Sequence, residues 1–226
     1  MFPWAQIDAV LLDMDGTLLD LHFDNHFWQI LVPQTLSKQR GISTAQAAEM
    51  VTQAYQRVEG TLNWYCLDYW ANELQLDIMA LHHCIVDKIR LRQDTVPFLQ
   101  ALKAAGKRRI LLTNAHPKSL ALKLEHTELG EHLDLMLSSH QLGYAKEAPQ
   151  FWQQVLQKYQ LTPSRCLFVD DNEVILQAAK NAGVGYLLGV SNPDSQRPQK
   201  HFQHFAATTD YLQLLPALTT QLKSDR

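Results

Sequence analysis

The chain has 226 residues, room for one domain carrying a sizeable insertion or for two small ones, and too few for a large multidomain assembly. Its 46% hydrophobic, 9% aromatic and 19% charged residues can build a buried core and exclude a disordered or fibrous chain. Twenty basic against 23 acidic side chains leave a formal net charge of −3, so no basic excess exists to neutralise a run of phosphates, and a nucleic-acid polymer is not an expected partner.

In chain order, the first element is an apolar run at 8–13 that ends in Asp13 and meets Gly16 at once, as a strand buried on both faces does when it stops at a loop. From 21 to 91 there is no strand signal. That interval holds only helical patterns, at 27–38, at 44–60 behind a Ser43/Gln46 capping box, at 64–76 and at 78–90. A helix capped by Asp94 then runs through Phe98, Leu99 and Leu102 to Gly106, followed by a strand at 109–114. Pro117 opens a helix through Leu120, Leu122 and Leu124; a strand follows at 133–137; Pro149 opens a helix through Trp152, Val155, Leu156 and Tyr159. A strand at 166–171, a helix at 173–182 stopped by Gly183, and a strand at 185–190 complete the alternation. The polar stretch 191–200 reads as a surface loop and 211–222 as a final short helix.

Strands alternating with helices of 10–15 residues predict an α/β fold whose mostly parallel sheet is covered on both faces. The helical stretch 21–91 enters just after the first strand, which places it as a lid above the carboxyl ends of the strands; residues 1–20 and 92–226 form the core. Cys66, Cys84 and Cys166 lie far apart with no C-x-x-C, and are expected as reduced, mostly buried thiols. The closest candidates for a metal-binding histidine pair, His22/His26 and His201/His204, lack cysteine or carboxylate partners at ligand spacing, so no histidine-bound metal is expected. No Lys or Arg precedes Lys38 and no apolar run approaches the ~18 residues of a membrane helix, which predicts a cytoplasmic protein with no membrane partner. Gly183, Gly185 and Gly189 have the wrong spacing and place for a dinucleotide fingerprint.

Parallel strand tips converge, so the residues that end the strands carry the chemistry: Asp13 and Asp15, Thr113 and Asn114, Asp170 and Asp171. Four carboxylates directed to one place repel by a few kcal/mol per close pair unless they titrate or hold a hard cation. An oxygen-only donor set without histidine suits Mg2+.

These residues carry a resemblance. Asp13-Met14-Asp15-Gly16-Thr17 after a strand, Thr113-Asn114 after another, Lys146 downstream and Val169-Asp170-Asp171 after a later strand resemble the four motifs of the haloacid dehalogenase superfamily, over residues 8 to about 190. One position departs: Glu147 follows Lys146 where proline is frequent, and the proline arrives at Pro149. The resemblance implies a Rossmann-like parallel core with an inserted helical cap. It implies Asp13 as the nucleophile that becomes an aspartyl-phosphate and Asp15 as the acid that protonates the leaving oxygen. Gly16 turns the backbone; Thr113, Asn114 and Lys146 hold the phosphoryl oxygens; Asp13, the Asp15 main-chain oxygen, Asp170 and Asp171 hold Mg2+, with Asp171 ahead of Asp170 for direct ligation. A second acid at Asp15 points to phosphoryl transfer and away from dehalogenation.

The insertion is rich in aromatic residues. Phe23, Phe27 and Trp28, just past the catalytic loop, and Asn63, Trp64 and Tyr65, at a break between helices, are the expected substrate-facing positions, whereas Tyr69 and Trp70 read as cap core. A purine stacked on one such ring gains roughly 1–3 kcal/mol. The segments LLDMDGTLLDL (11–21), TLNWYCLDYW (61–70), ILLTNAHP (110–117), KLEHT (123–127) and LGVSNPDS (188–195) further resemble the bacterial purine 5′-nucleotidases of the superfamily that act on GMP and IMP. That resemblance implies a small-molecule phosphomonoester, a purine 5′-nucleotide, as substrate. A sugar-phosphate phosphatase or a phosphoglucomutase-like phosphotransferase shares every core residue, and a non-catalytic phospholigand binder is the remaining alternative; oligomeric state is not legible.

Overall fold

The computed structural model describes residues 2–218. Six strands form one sheet: β1 (Ala9–Leu12), β2 (Arg108–Thr113), β3 (Leu135–Ser138), β4 (Cys166–Asp170), β5 (Tyr186–Val190) and β6 (Ala207–Thr208). Their order is β3-β2-β1-β4-β5-β6, all parallel, with Leu12 level with Leu111 on one side and Val169 on the other. The strand order reverses at β1 and β4, so a crevice opens above their carboxyl ends. β6 has no counterpart in the sequence reading, because two residues carry no periodicity.

Between β1 and β2 lies an all-helical insertion: α1 (His22–His26), α2 (Val32–Arg40), α3 (Thr44–Gln56), α4 (Leu67–Leu74) and α5 (Ile78–His83). A π-helical turn, Phe27–Leu31, joins α1 to α2 just before Pro33, whose ring cannot follow a regular turn, so the helix starts earlier than the expected 27–38 and widens in its middle. The Ser43/Gln46 capping box is present, and α3 stops at Gln56, short of Gly60. The expected helix 64–76 is divided: Leu62–Tyr65 is a 3-10 turn and α4 begins at Leu67. The helix expected over 78–90 likewise ends at His83, with a 3-10 turn at Val86–Lys88. These elements bury Phe23, Phe27, Leu36, Val51, Trp70 and Ile78 in a core of their own. The two chain segments that join the insertion to the sheet pair with each other, Asp20 N donating to Arg90 O (2.9 Å) and Arg92 N to Leu18 O (3.0 Å).

The remaining helices are α6 (Thr95–Ala104), α7 (Pro117–Glu125), α8 (Pro149–Lys158) and α9 (Glu173–Asn181). Successive strand residues point to opposite faces. Val10, Leu12, Leu111 and Val169 pack with Phe98, Leu99 and Leu102 of α6, while Leu11, Ile110 and Phe168 pack with Trp152, Val155 and Leu176 of α8 and α9. Asp94 stands before α6 but does not cap it with its side chain. Its Oδ2 accepts instead from Tyr211 N (2.8 Å) and Arg92 Nη2 (3.2 Å), tying the C-terminal segment to the core.

Residues 211–214 make a 3-10 turn that continues as helix to 218; the rest of the expected 211–222 helix lies outside the described residues. All three cysteines are free, but only Cys166 is buried; Cys66 is half-buried and Cys84 exposed, which corrects the expectation of mostly buried thiols. The stretch 191–200 is irregular, as expected, yet not simply solvated. Asp194 within it is buried and accepts from Asn25 Nδ2 of α1 (2.7 Å), so this loop braces the insertion. Among the described residues no helix is long and apolar enough to cross a membrane.

Candidate active site

β1 delivers Asp13 to the crevice, its N–H held by Val169 O of β4 at 3.0 Å. The chain then turns at Gly16, whose φ of +83° favours glycine; an added Cβ would lie 2.9 Å from Asp171 Cγ. Gly16 thus lets two strand tips approach. Carboxylate oxygens of Asp13, Asp170 and Asp171 lie within 4.8 Å of one another. Lys146 Nζ, buried, donates to Asp13 Oδ1 (2.5 Å) and Asp170 Oδ2 (2.7 Å), and Asp171 meets the Lys200 ammonium at 2.5 Å on the solvent side.

Burial pushes Asp13 well above the usual carboxylate range, the Lys146 charge opposing it and the other acids adding to it. Burial likewise raises Asp170 to about 6 against the pull of Lys146. For Lys146 burial works downward, but the two carboxylates win and its pKa is raised. Two buried carboxylates therefore share one buried ammonium, and a third carboxylate faces them. This excess of negative charge on an oxygen-only donor set fits a hard divalent cation.

Thr113 and Asn114 at the tip of β2 are buried beside this cluster. Thr113 Oγ1 accepts from Ala115 N (3.0 Å), Asn114 Oδ1 accepts from Lys146 N (2.9 Å), and Asn114 Nδ2 donates to Glu147 Oε2 (3.0 Å). The other Glu147 oxygen accepts from the Tyr65 hydroxyl at 2.6 Å. Glu147, which stands in the sequence only as a departure, thus links the insertion to the tip of β2. Burial first, then the Glu147 charge, raises the Tyr65 phenol.

Asp15 faces the other way. Its Oδ1 accepts from Lys123 Nζ (2.7 Å), which also donates to both oxygens of Asp24 on α1 (2.8 and 2.9 Å) and lies 5.0 Å from the centre of the Phe23 ring. Burial, and then Asp15, push Asp24 up to about 7, with Lys123 opposing. Sequence reasoning missed Lys123 as a site residue. Its signal is a lysine on the stripe of α7 that buries Ser119 and Leu122.

A cavity of about 440 Å³ lies between the strand tips and the insertion. Asp13, Asp15, Thr113, Asn114, Lys146, Asp170 and Asp171 all reach it, so the structure brings these predicted residues together around one space. Trp28, Trp64 and Tyr65 of the insertion line the same cavity. Phe23, Phe27 and Asn63 do not: α1 and the π-helical turn after it bring Phe23 and Phe27 onto the His82 ring at 5.3 and 4.0 Å between centres, and Asn63 sits in the 3-10 turn Leu62–Tyr65 without reaching the cavity. Trp70 is core as expected, its Nε1 donating to Trp64 O at 2.6 Å. The wall also includes Tyr55, whose hydroxyl is buried without a hydrogen-bond partner.

The family model of the haloacid dehalogenase-like hydrolases matches residues 7–183. The chain belongs to this family. As a haloacid dehalogenase-like hydrolase it is 54% identical over 215 residues to the GMP/IMP nucleotidase YrfG of Escherichia coli strain K12, covering 95% of this chain and 97% of that protein. It is 22% identical to a phosphorylated carbohydrates phosphatase of Thermotoga maritima over 81% of this chain and 85% of that one. Among solved structures, a HAD phosphatase from Thermococcus onnurineus superposes with a TM-score of 0.77 at 23% identity, covering 94% of this hydrolase and 98% of that chain, a likeness of fold.

Proposed function

We propose that this hydrolase releases phosphate from purine nucleoside 5′-monophosphates, GMP and IMP foremost, through an aspartyl-phosphate on Asp13. The observation that carries the reading is the cavity itself. One wall holds paired acids, Asp13 and Asp15, with Lys146 and Thr113; the other offers the aromatic rings of Trp28, Tyr55, Trp64 and Tyr65, and the volume lies in the range of small-molecule sites. The 54% identity to a GMP/IMP nucleotidase supports the same substrate class. In this reading residues 21–91 are the cap domain and 1–20 with 92–226 the catalytic core; the three free thiols accord with a cytoplasmic setting.

Asp13, Asp170, Asp171 and the Asp15 main-chain oxygen would hold Mg2+. When bound it supplies positive charge that lets a carboxylate meet a phosphate and lowers the Asp13 pKa toward the ionised form. An Asp13 carboxylate oxygen attacks phosphorus, the P–O bond to the 5′-carbon oxygen breaks, and Asp15 gives its proton to that departing oxygen. Water then attacks the phosphorus of the aspartyl-phosphate while Asp15 takes its proton; the acyl P–O bond breaks, freeing phosphate and restoring Asp13. Lys146 fixes the Asp13 carboxylate for in-line approach. Thr113 and Asn114 hold the non-bridging oxygens as charge shifts onto them. The base stacks on the aromatic wall, where the unpaired Tyr55 hydroxyl is the group we assign to hydrogen-bond it.

A phosphate-release screen over nucleoside monophosphates and sugar phosphates, with and without chelator, tests the reading. It expects chelator-sensitive release from GMP and IMP with sugar phosphates poor. Sugar phosphates outpacing nucleotides, or phosphate passing to a sugar hydroxyl instead of water, would replace it with the phosphatase or mutase alternative.

A further inference from the structure

A second ligand cluster lies on the seam between cap and core, built from residues the phosphatase reading does not use. Cys66 precedes α4 in the cap; His116 precedes α7 and His140 follows β3, both in the core. One ligand atom of each, a thiol sulfur and two ring nitrogens, lies within 4.8 Å of the other two. We propose that Cys66, His116 and His140 bind a borderline-soft divalent ion such as Zn2+, which ties the cap to the core at the rim of the cavity.

Four observations support it. The donor set, one thiolate and two imidazoles, is the soft and borderline chemistry that selects zinc over magnesium, the reverse of the Asp cluster. His140 carries an orphaned donor atom: its Nε2 is buried with no hydrogen-bond partner, while the backbone carbonyls of Asn114 and Tyr65 lie beside the ring. His116 has a carboxylate behind it, Asp68, 3.5 Å from its Nε2, the pairing in which an acid holds one ring N–H of a metal-binding histidine and leaves Nδ1 as the ligand. That Nδ1 now accepts only the Lys118 N–H at 3.3 Å, a long and replaceable bond. Burial lowers the pKa of both rings, against the pull of the Asp68 charge, which favours the neutral imidazole that binds a metal. Binding displaces the Cys66 thiol proton to solvent and leaves a Zn–S bond, with no change of oxidation state. Since Cys66 belongs to the cap and the histidines to the core, the ion bridges the two.

The test titrates the full chain with Co2+ in saturating Mg2+, reading the near-ultraviolet thiolate-to-cobalt band, then adds Zn2+. The proposal expects one equivalent of Co2+ to raise the band and Zn2+ to bleach it; Cys66→Ser removes it, Cys84→Ser keeps it, and Asp68→Asn weakens affinity by roughly 10–100-fold. Zn2+ should also raise the melting temperature of the parent chain and of Cys84→Ser but not of His140→Gln, a second variant that serves if Cys66→Ser fails to fold. Absence of the band in the folded parent chain overturns the proposal, as does its survival in Cys66→Ser or an equal Zn2+ shift in His140→Gln. None of these readouts depends on which phosphomonoester is hydrolysed.

Discussion

At the residue scale, the site separates two acids that stand two positions apart. Asp13 is held by Lys146 and faces Asp170, while Asp15 is held by Lys123 and faces the cap. In the proposed reaction the first attacks phosphorus and the second moves the proton. Replacing Asp15 with Asn should lower kcat for GMP by ~10²–10⁴, as loss of a general acid–base group does; near-parental turnover would remove it from that role. Tyr55→Phe deletes a buried hydroxyl that has no partner in the protein, so the fold should lose nothing. If the hydroxyl pairs with the base, KM for GMP rises roughly tenfold or more, about 1.4 kcal/mol, while KM for a small phosphate ester stays put. His82 makes a separate prediction. Burial, then the Lys123 charge, lowers it to about 3, and neither ring nitrogen has a partner. The fold keeps it neutral, whereas the unfolded chain protonates it below about 6.5, so its contribution is intact above that pH and is lost on acidification toward 3. Between pH 6.5 and 4 the parent chain should lose about 3 kcal/mol more than His82→Leu in urea unfolding.

At the element scale, what could be read in the sequence and what could not follow from range. Residues 9–12 and 166–170 are legible as strands because both faces are buried and apolar runs need no partner to be recognised. The Asp side chains at their tips, with Thr113 at the tip of β2, are legible because parallel strands must converge, whereas Lys146, in the loop after β3, is legible only through the family resemblance. The divided helices of the cap are not, since Pro33 and the 3-10 turn at Leu62–Tyr65 act through local geometry that an apolar pattern passes over. Phe23 and Phe27 look like pocket residues by position, but only the packing of α1 and of the π-helical turn after it on His82 reveals that they face inward. The Cys66–His116–His140 cluster was beyond sequence reasoning for a related reason: its members lie 50 and 24 residues apart in the chain, so no ligand spacing links them. Lys123 likewise joins α7 to α1 across 99 residues. Removing it leaves Asp15 and Asp24 facing each other under the cap. Lys123→Met should cost about 3–5 kcal/mol of stability, the penalty for an uncompensated buried charge. The double variant Lys123→Met with Asp24→Leu should lose less than the two single losses added together; strict additivity in urea denaturation would mean that the pair is not coupled.

At the scale of the whole molecule, a parallel sheet and an inserted helical cap enclose one cavity from opposite sides. The sheet supplies charge and the cap supplies apolar surface, joined through Lys123–Asp24, Tyr65–Glu147 and Asn25–Asp194. All three contacts cross the seam at or beside the cavity, so cap position and catalytic geometry are linked. In the proposed reaction Asp13 carries the phosphoryl group between substrate and water. Mixing the protein with GMP labelled in its phosphate, quenching in acid within one turnover and mapping the bound label measures this directly. Acid-stable, alkali-labile label is expected on the peptide containing Asp13 and is absent in Asp13→Asn; steady hydrolysis of GMP with no label on the protein, or with label on another residue, overturns this role for Asp13.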